Sequence, residues 1–271
     1  MIAIEDQIAD LVASRTDASI SVQTLGNFQV WRSAELVGSK EWGRDVSLQL
    51  FQFLITHRHR RGLHKEQIID RIWENVDGKA GQQNFKVAHH GVSKVLEPDR
   101  KSRTESQYII RQGATYQLRF EDMWIDVEAL DQFVTLGNQV LLDDPQLAQL
   151  AYREAIALHK GVFLPNRLYE DWSSEERERI QLLTLGAFIS LSELLVKDNP
   201  LESVRLTQQA LQIDHTWEDA YRIQMEAYLE KGNRPMALKT YKQCERVLEE
   251  EFGIGPLPET RQLYTKIKTI H

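Results

Sequence analysis

An internal repeat constrains the fold of this chain more than any other feature of its sequence. Residues 189–210 match residues 223–244 when one segment is shifted by 34 positions. Apolar, small, lysine and asparagine positions coincide: Ile189 with Ile223, Leu191 with Met225, Leu195 with Leu229, Lys197 with Lys231, Asn199 with Asn233, Val204 with Leu238, and Ala210 with Cys244. Because one such unit cannot bury an apolar face alone, the copies are expected to pack against each other.

The length of the repeat indicates the kind of unit. A period of 34 residues is that of the tetratricopeptide repeat (TPR), a helix–turn–helix pair. Ala227, Ala237 and Cys244 are the small residues that let paired helices approach closely. The sequence therefore predicts an all-α, TPR-like helical-repeat domain, with a long antiparallel bundle as the alternative.

The N-terminal half follows a different pattern. Residues 20–42 alternate and turn, which predicts short antiparallel strands. Helical patterns then cover residues 44–56, 64–73 and 82–98, and a β-hairpin pattern covers residues 108–120. This order is typical of an α+β winged helix-turn-helix: strands come first, then three helices with a turn before the third, and then a hairpin. Three segments follow from this: an amphipathic extension (1–19), a winged-helix domain (20–121) and a helical domain (122–271).

The two halves also differ in charge. Residues 20–121 contain 16 lysines and arginines against 11 acidic residues, whereas residues 122–271 contain 16 against 25. A basic module joined to an acidic one favours different partners for each, with a polyanion for the basic module. Ordinary surface charge is the alternative, because the basic excess is modest.

The third helical pattern has two distinct faces. Phe85, Val92 and Leu96 recur at the three-four spacing of a buried stripe. The opposite face carries cations, amides and a small apolar side chain: Gln83, Lys86, Val87, His90 and Lys94. A helix lying in the major groove of DNA needs this arrangement, since one face is anchored and the other contacts base edges. A solvated surface helix is the alternative.

Basic residues accompany this helix in the chain. Arg100, Lys101 and Arg103 precede the hairpin, and Arg111 and Arg119 lie within it. Cations of such a wing bind phosphate or enter the minor groove, which gives affinity and register. A further basic cluster follows the first helix: His57, Arg58, His59, Arg60 and Arg61.

Four motifs of the N-terminal half resemble the OmpR-type winged-helix domain: LGNFQVW, IIDRIW, NFKVAHHGVSKVLEP and YIIRQGATYQL. FLPNRLYEDW (residues 163–172) and the run from ALQIDHTWEDAYR to GIGPLPE are similar to the bacterial transcriptional activator domain. This order of domains resembles the Streptomyces antibiotic regulatory protein (SARP) family. The resemblance covers roughly residues 20–268.

The resemblance implies a transcription regulator, expected to activate, that binds directly repeated promoter sites as side-by-side protomers and recruits RNA polymerase. It places Lys86, Val87, His90 and Lys94 on the DNA-facing side of the recognition helix. It also implies that the turn before this helix touches the polymerase, through Glu74, Asn75, Asp77 and Lys79.

The chain departs from the family pattern at several positions. Gly91 and Ser93 stand where relatives carry arginines, and His89 replaces an aliphatic core residue. The glycine would permit close approach of the backbone to DNA. Weakened or lost DNA binding is the other consequence, which makes a protein-interaction adaptor the alternative function.

The sequence offers little for catalysis. Histidines of the basic half, including His57 and His59, have no acidic or cysteine partner at a metal-site spacing. Cys244 lies at an inward repeat position, which favours packing over reactivity, and nucleotide-binding glycine motifs are absent. We therefore expect no enzyme activity, no metal and no cofactor. The apolar runs are too short to cross a bilayer, and the acidic start differs from a signal peptide, which predicts a cytoplasmic protein with no membrane partner.

Overall fold

The computed structural model describes residues 3–74, 76–101 and 104–269. They form two compact units. The first contains the described residues up to Ala129 together with Leu158–Ile180, and the second contains Leu130–Ala157 and the described residues from Gln181 onward. This grouping differs from the boundary expected after residue 121, because the N-terminal extension and a segment of the expected helical domain lie in the first unit.

Two small sheets and four helices make up most of the first unit. Its elements are α1 (Ile4–Asp17), β1 (Ile20–Gln23), β2 (Gln29–Arg32), β3 (Glu35–Leu36), α2 (Asp45–Thr56), β4 (Leu63–His64), α3 (Lys65–Ile72), α4 (Gly78–Leu96), β5 (Ile109–Gln112), β6 (Thr115–Leu118) and β7 (Met123–Ile125). The first sheet has the order β3-β2-β1-β7 and the second has the order β4-β6-β5.

The first sheet contains one strand that the sequence did not indicate. Strands β1 and β2 pair antiparallel, as the alternation predicts, with Val22 opposite Val30. Strand β7 pairs parallel with β1 on its other side, with Ser21 opposite Trp124. A strand of three residues is too short for its alternation to be read, so only the folded chain identifies it.

The N-terminal helix α1 belongs to this unit. Its residue Ile8 is buried, and the guanidinium carbon of Arg15 lies 4.9 Å from the centre of the Trp124 ring. This distance is typical of a cation–π contact. The extension therefore packs next to the sheet through an arginine that the sequence did not single out.

A buried carboxylate at the start of α5 (Asp126–Val140) accepts hydrogen bonds from residues at the end of β1. Asp126 is almost fully buried and opens α5. It accepts hydrogen bonds from the backbone amides of Thr24 at 2.7 Å and Leu25 at 2.8 Å, and from the Thr24 hydroxyl at 2.6 Å. Burial raises the pKa of Asp126 to about 6, although these hydrogen bonds oppose the shift.

Helices dominate the rest of the chain, and past Ile125 the described residues contain no further named strand. The helices that follow α5 are α6 (Pro145–Leu158), α7 (Ser174–Leu195), α8 (Pro200–Ile213), α9 (Glu218–Glu230), α10 (Arg234–Phe252) and α11 (Pro258–Thr269). Met225 of α9, Tyr241 of α10 and Ile267 of α11 share one buried cluster. The consecutive C-terminal helices therefore pack on one another.

The two asparagines that recur in the repeat have the same structural role. Asn199 accepts a hydrogen bond from the amide of Glu202 at the start of α8, and Asn233 accepts one from the amide of Met236 at the start of α10. Both residues therefore cap the second helix of their repeat. Cys244 is fully buried against Tyr221 and Leu248, and burial raises its pKa to about 12, which suits a packed and unreactive thiol.

Candidate nucleic-acid interface

Helix α4 begins earlier than the sequence pattern suggested. The side chain of Asp77 accepts hydrogen bonds from the amides of Lys79 and Ala80, both at 2.9 Å, and so caps a helix whose first residue is Gly78. The expected start at residue 82 was wrong because the glycines at 78 and 81 suggested a turn. A β-carbon at Gly81 would lie 2.6 Å from Cγ2 of Ile69, so this glycine serves the close approach of α3 to α4.

The outer face of α4 is open within the described part of the first unit. Gln83, Lys86, His90 and Lys94 are exposed, whereas Val87 is half-buried. The inner face is buried and holds Phe85, Ala88, Val92, Val95 and Leu96. The helix therefore has the two faces that its sequence predicts, one anchored and one accessible.

Gly91 and Ser93 both lie away from this outer face. A β-carbon at Gly91 would lie 2.1 Å from Oγ and 2.8 Å from Cβ of Ser47, which is on α2. Ser93 is 4% exposed and lies inside the fold. The glycine therefore permits close approach of α2 to α4, and a role in the approach of the backbone to DNA stays a prediction.

His89 fills a gap between α4 and the hairpin. Its ring lies edge-on to the Tyr116 ring, with centroids 5.3 Å apart, and is roughly parallel to the Phe85 ring at 6.1 Å. Burial lowers the pKa of His89, and the nearby charges of Arg100, Arg111 and His90 lower it further. The residue thus packs as a neutral aromatic ring.

The hairpin carries its cations on the surface. Arg111 is exposed, donates a hydrogen bond from Nε to the carbonyl of Gly113 at 3.0 Å, and lies over the Tyr116 ring at 5.7 Å. Arg100 and Lys101 are exposed in the preceding loop, and Arg103 lies outside the described residues. The tip of the hairpin turns at Gly113, whose φ of 62° favours glycine.

The cluster at residues 57–61 is not a uniformly exposed basic patch. Arg60 and Arg61 are exposed, but Arg58 is 1% exposed and His57 is 8% exposed. Arg58 forms buried ion pairs with Glu128 of α5 and Glu176 of α7. Only part of this cluster is therefore available to a polyanion.

Of the two glutamates, half-buried Glu176 keeps its charge in this environment. Burial by itself would raise the pKa of Glu176, yet hydrogen bonds and charge from Arg179 and Arg58 lower it overall. Burial also lowers the pKa of His57, whose Nδ1 lies 3.0 Å from the carbonyl oxygen of Phe53. These interactions join the end of α2 to helices that lie much later in the sequence.

The turn between α3 and α4 is partly described. Glu74, Asp77 and Lys79 are exposed, with Lys79 in the first turn of α4 and not in a loop, and Asn75 lies outside the described residues. Val76 is also exposed. The expected polymerase contact of this turn stays a prediction.

A segment beyond residue 121 packs on α2, and sequence reasoning missed this contact. Arg167 donates to Oε1 of Gln52 at 2.9 Å and lies 2.6 Å from Oδ1 of Asp45. The ring of Trp172 meets that of Phe53 edge to face, with centroids 5.5 Å apart. These side chains belong to FLPNRLYEDW, a motif that the sequence places in the helical domain. The polar residues along α2 were a signal, because Gln52 is fully buried and requires a partner.

The described residues contain no group of three or more histidine, cysteine or carboxylate side chains that could hold a metal ion. His57 and His59 have other contacts: His59 lies 2.9 Å from the carboxylate of Glu128. Among the same residues, no helix is long and apolar enough to span a bilayer.

The described residues thus form one unit with an open basic helix face and a cationic hairpin, and a second unit of packed helices. Residues 125–268 match the family described as the bacterial transcriptional activator domain. The match covers more than half of the chain, which therefore belongs to this family. The family is one of transcription regulators and not of enzymes.

A solved structure has the same fold. The structure of Mycobacterium tuberculosis EmbR in complex with a low-affinity phosphopeptide superposes with a TM-score of 0.81 at 15% sequence identity. The similarity covers 93% of this chain and 65% of the EmbR chain. No curated protein sequence matches the chain. The family match and the shared fold support the SARP-like regulator that the sequence indicated.

Proposed function

We propose that this protein is a sequence-specific DNA-binding transcription regulator that activates promoters. Its N-terminal unit acts as an OmpR-type winged helix, and its helical unit acts as a TPR-like module for protein contacts and self-association. The partners are double-stranded promoter DNA, RNA polymerase and a second protomer on directly repeated sites. The functional division into residues 20–121 and 122–271 is part of this proposal.

The observation that carries the proposal is the outer face of α4. Gln83, Lys86, His90 and Lys94 are exposed side by side, while the opposite face is anchored in the core. The helix contains lysines and no aspartate or glutamate over its 19 residues. A cationic helix face with amide and imidazole groups suits the phosphate-lined major groove.

The residues have two different roles in this proposal. Lys86, His90 and Gln83 contact base edges and therefore set sequence preference, with Val87 as a small apolar contact. Lys94 and the cations at Arg100, Lys101, Arg103 and Arg111 contact phosphates and therefore set affinity and register.

The adaptor alternative loses its main support. It rested on Gly91 and Ser93, read as two missing cations on the reading face. Ser93 is buried, and half-buried Gly91 lies against Ser47, so a larger side chain at either position would have to displace Ser47 or the core around Ser93. Their identity therefore does not argue against DNA binding.

The first experiment selects the DNA. Fragmented genomic DNA is passed over the immobilised full-length protein, the retained fragments are sequenced, and the affinity for a retained duplex is measured by fluorescence anisotropy over a range of salt. We expect the logarithm of the association constant to fall linearly with the logarithm of salt, by about 0.9 for each phosphate contact. Absence of salt-sensitive binding would contradict the proposal.

Substitutions then separate the two roles. Lys86→Ala should relax the preference at one base pair, at a cost of about 1–3 kcal/mol for the preferred base. Arg111→Ala should weaken all sequences alike and reduce the salt slope by about 1. Lys239→Ala, an exposed lysine of the helical unit, is the matched control and should bind as wild type. Wild-type binding by both Lys86→Ala and His90→Ala would show that α4 is not the reading helix.

A further inference from the structure

Helix α2 carries a polar stripe that is in contact with a later part of the chain and is partly buried by it. Asp45, Gln49 and Gln52 recur at the spacing of one helix face, and both glutamines are buried. The covering segment, residues 163–176, is called the strap here. Its residues Asn166, Arg167 and Glu170 supply hydrogen-bond partners to this stripe. Because buried amides require partners, the strap completes the polar bonding of α2.

One glutamine of the stripe has a second partner outside the strap. The amide nitrogen of Gln49 donates to Oε1 of Glu170 at 3.2 Å. The amide oxygen of the same Gln49 accepts from the indole nitrogen of Trp73 at 3.0 Å. Gln49 therefore links the strap to Trp73 in a continuous relay, whereas both partners of Gln52 lie in the strap.

Trp73 lies between the end of α3 and the turn that leads into α4. It is 8% exposed and follows α3 directly. The amide of Val76 donates to the carbonyl of Trp73 at 3.1 Å, and Asp77 then caps α4. A shift in the position of Trp73 is therefore passed to Asp77, four residues later, and so to the first turn of α4.

The strap itself is held firmly. Arg177 donates hydrogen bonds to the carbonyls of Arg167 at 2.9 Å and Phe163 at 3.3 Å, and to the hydroxyl of Ser173 at 2.6 Å. The second carboxylate oxygen of Glu170 accepts from the indole nitrogen of Trp172 at 3.1 Å. Glu170 is thus a fixed acceptor for Gln49 and not a free surface side chain.

From these contacts we propose that Gln49 is a positioning residue that couples the strap to the reading helix through Glu170 and Trp73. The inference rests on the proposed DNA-binding function of α4. Residue Glu170 lies within the segment that matches the transcriptional activator family, and α4 lies outside it. Through the relay, the activator segment therefore influences the position of the start of α4, and with it the contact of α4 with DNA.

The test compares two substitutions of the same chemistry in the full-length protein. Gln49→Met removes both bonds of the relay and keeps a buried, helix-forming side chain of similar size. Gln52→Met removes two strap bonds from the same helix and leaves Trp73 untouched. Hydrogen exchange is measured for backbone amides of residues 76–86, and affinity is measured for a duplex that the wild type selects from genomic fragments.

We expect Gln49→Met to speed exchange in residues 76–86 at least tenfold and to weaken DNA binding about tenfold, with an unchanged salt slope because no phosphate contact is lost. Gln52→Met should change both quantities less than threefold. If Gln49→Met lowers expression of folded protein, Trp73→Phe removes the same bond from its other end and should give the same two effects.

The relay is overturned if Gln49→Met exchanges and binds as wild type. It is also overturned if Gln52→Met has the same effect, since the strap would then act as a whole. Failure of the wild type to bind any DNA would reject the proposed function alone. The exchange measurement would still decide the relay in that case, because it requires no ligand.

Discussion

At the scale of single residues, Gly91 shows how one absent β-carbon sets the distance between two helices. In the sequence it is a glycine inside a helix, and such a residue costs about 1 kcal/mol relative to alanine. In the fold it lies against Ser47, where a β-carbon would approach the serine Oγ to 2.1 Å. The cost in helix propensity is therefore offset by a close contact between α2 and α4.

This contact predicts the outcome of a glycine-to-alanine exchange. Gly91→Ala should lower the free energy of unfolding by about 1–3 kcal/mol, as overpacking does, despite the better helix propensity of alanine. Gly78→Ala in the same helix, where no atom lies within 4 Å of the added carbon, should leave stability unchanged or slightly higher. Urea denaturation measures both. Restoration by Ser47→Gly in the Gly91→Ala background would identify the contact, and equal effects at 91 and 78 would disprove it.

Two neighbouring arginines should respond very differently to replacement. Arg58 is buried between Glu128 and Glu176, whereas the side chain of Arg60 is 47% exposed and lies 3.8 Å from an exposed glutamate. Arg58→Met takes this buried cation from half-buried Glu128 and leaves Glu176 with Arg179 as its remaining cation, so it should cost up to about 3–5 kcal/mol. Arg60→Met should unfold close to wild type, since exposed ion pairs contribute little. Similar urea midpoints for the two variants would contradict the buried network.

His89 should make stability depend on pH. Its pKa is lowered in the folded state by burial and by the charges of Arg100 and Arg111, so the unfolded chain binds a proton more readily. The stabilising contribution of neutral His89 is present above its ordinary pKa of about 6.5 and is lost as pH falls through the lowered folded value. His89→Leu should therefore make the loss of stability between pH 7.5 and 5.5 shallower, by at most about 1.4 kcal/mol per pH unit. Parallel pH profiles from urea denaturation would contradict this assignment.

At the scale of elements, the caps determine where helices begin. Asp77 starts α4 at Gly78, and Asn199 and Asn233 start the second helix of each repeat. The cap of α4 was missed because its helix opens with glycines, whereas the asparagines were visible as a repeated position. A capping residue is recognised more easily when it recurs in the same place.

The two repeat caps should be energetically alike. Asn199→Ala and Asn233→Ala should each lower the free energy of unfolding by about 1 kcal/mol, because each removes the side-chain oxygen that accepts from a helix-terminal amide. Gln212→Ala, an exposed residue near the end of α8, serves as the control and should be nearly neutral. Thermal or urea denaturation followed by far-UV circular dichroism checks all three. A loss at only one asparagine would show that the repeats are not equivalent at their caps.

At the scale of the whole molecule, the first compact unit is assembled from parts that are distant in sequence. Strand β7 completes its first sheet, and the buried carboxylate of Asp126 accepts hydrogen bonds from the amides of Thr24 and Leu25. Strand β7 and Asp126 both lie beyond residue 121. A winged-helix module cut at that boundary would leave β1 unpaired on one side and two buried amides without an acceptor.

This assembly predicts how truncated chains behave. A fragment of residues 1–121 should melt at least about 10 °C below a fragment of residues 1–129, which regains β7, Asp126 and Glu128, since a loss of a few kcal/mol shifts the melting temperature by this amount. The comparison is made by thermal denaturation of both purified fragments. Equal melting temperatures would show that the module is complete at residue 121.

The sequence by itself determined most of the elements and most of their faces, although it did not indicate β7. Three-four spacing located α2, α3 and the buried stripe of α4, alternation located β1, β2 and the hairpin, and the 34-residue period located the helix pairs. These features are local, since each depends on side chains a few residues apart or on one fixed period, so the pattern is visible without the fold.

Only the tertiary structure decided which polar residues face the interior and what they meet there. From the sequence, Gly91 left two readings open, and in the fold it lies against Ser47. Arg58 was counted within a basic cluster and is buried, and Gln49 was given no role. Their partners are Ser47, Glu128, Glu176, Glu170 and Trp73, which lie 24 to 121 positions away in the chain. Polar and glycine positions have no periodicity of their own, so their role follows from the partner that folding brings to them.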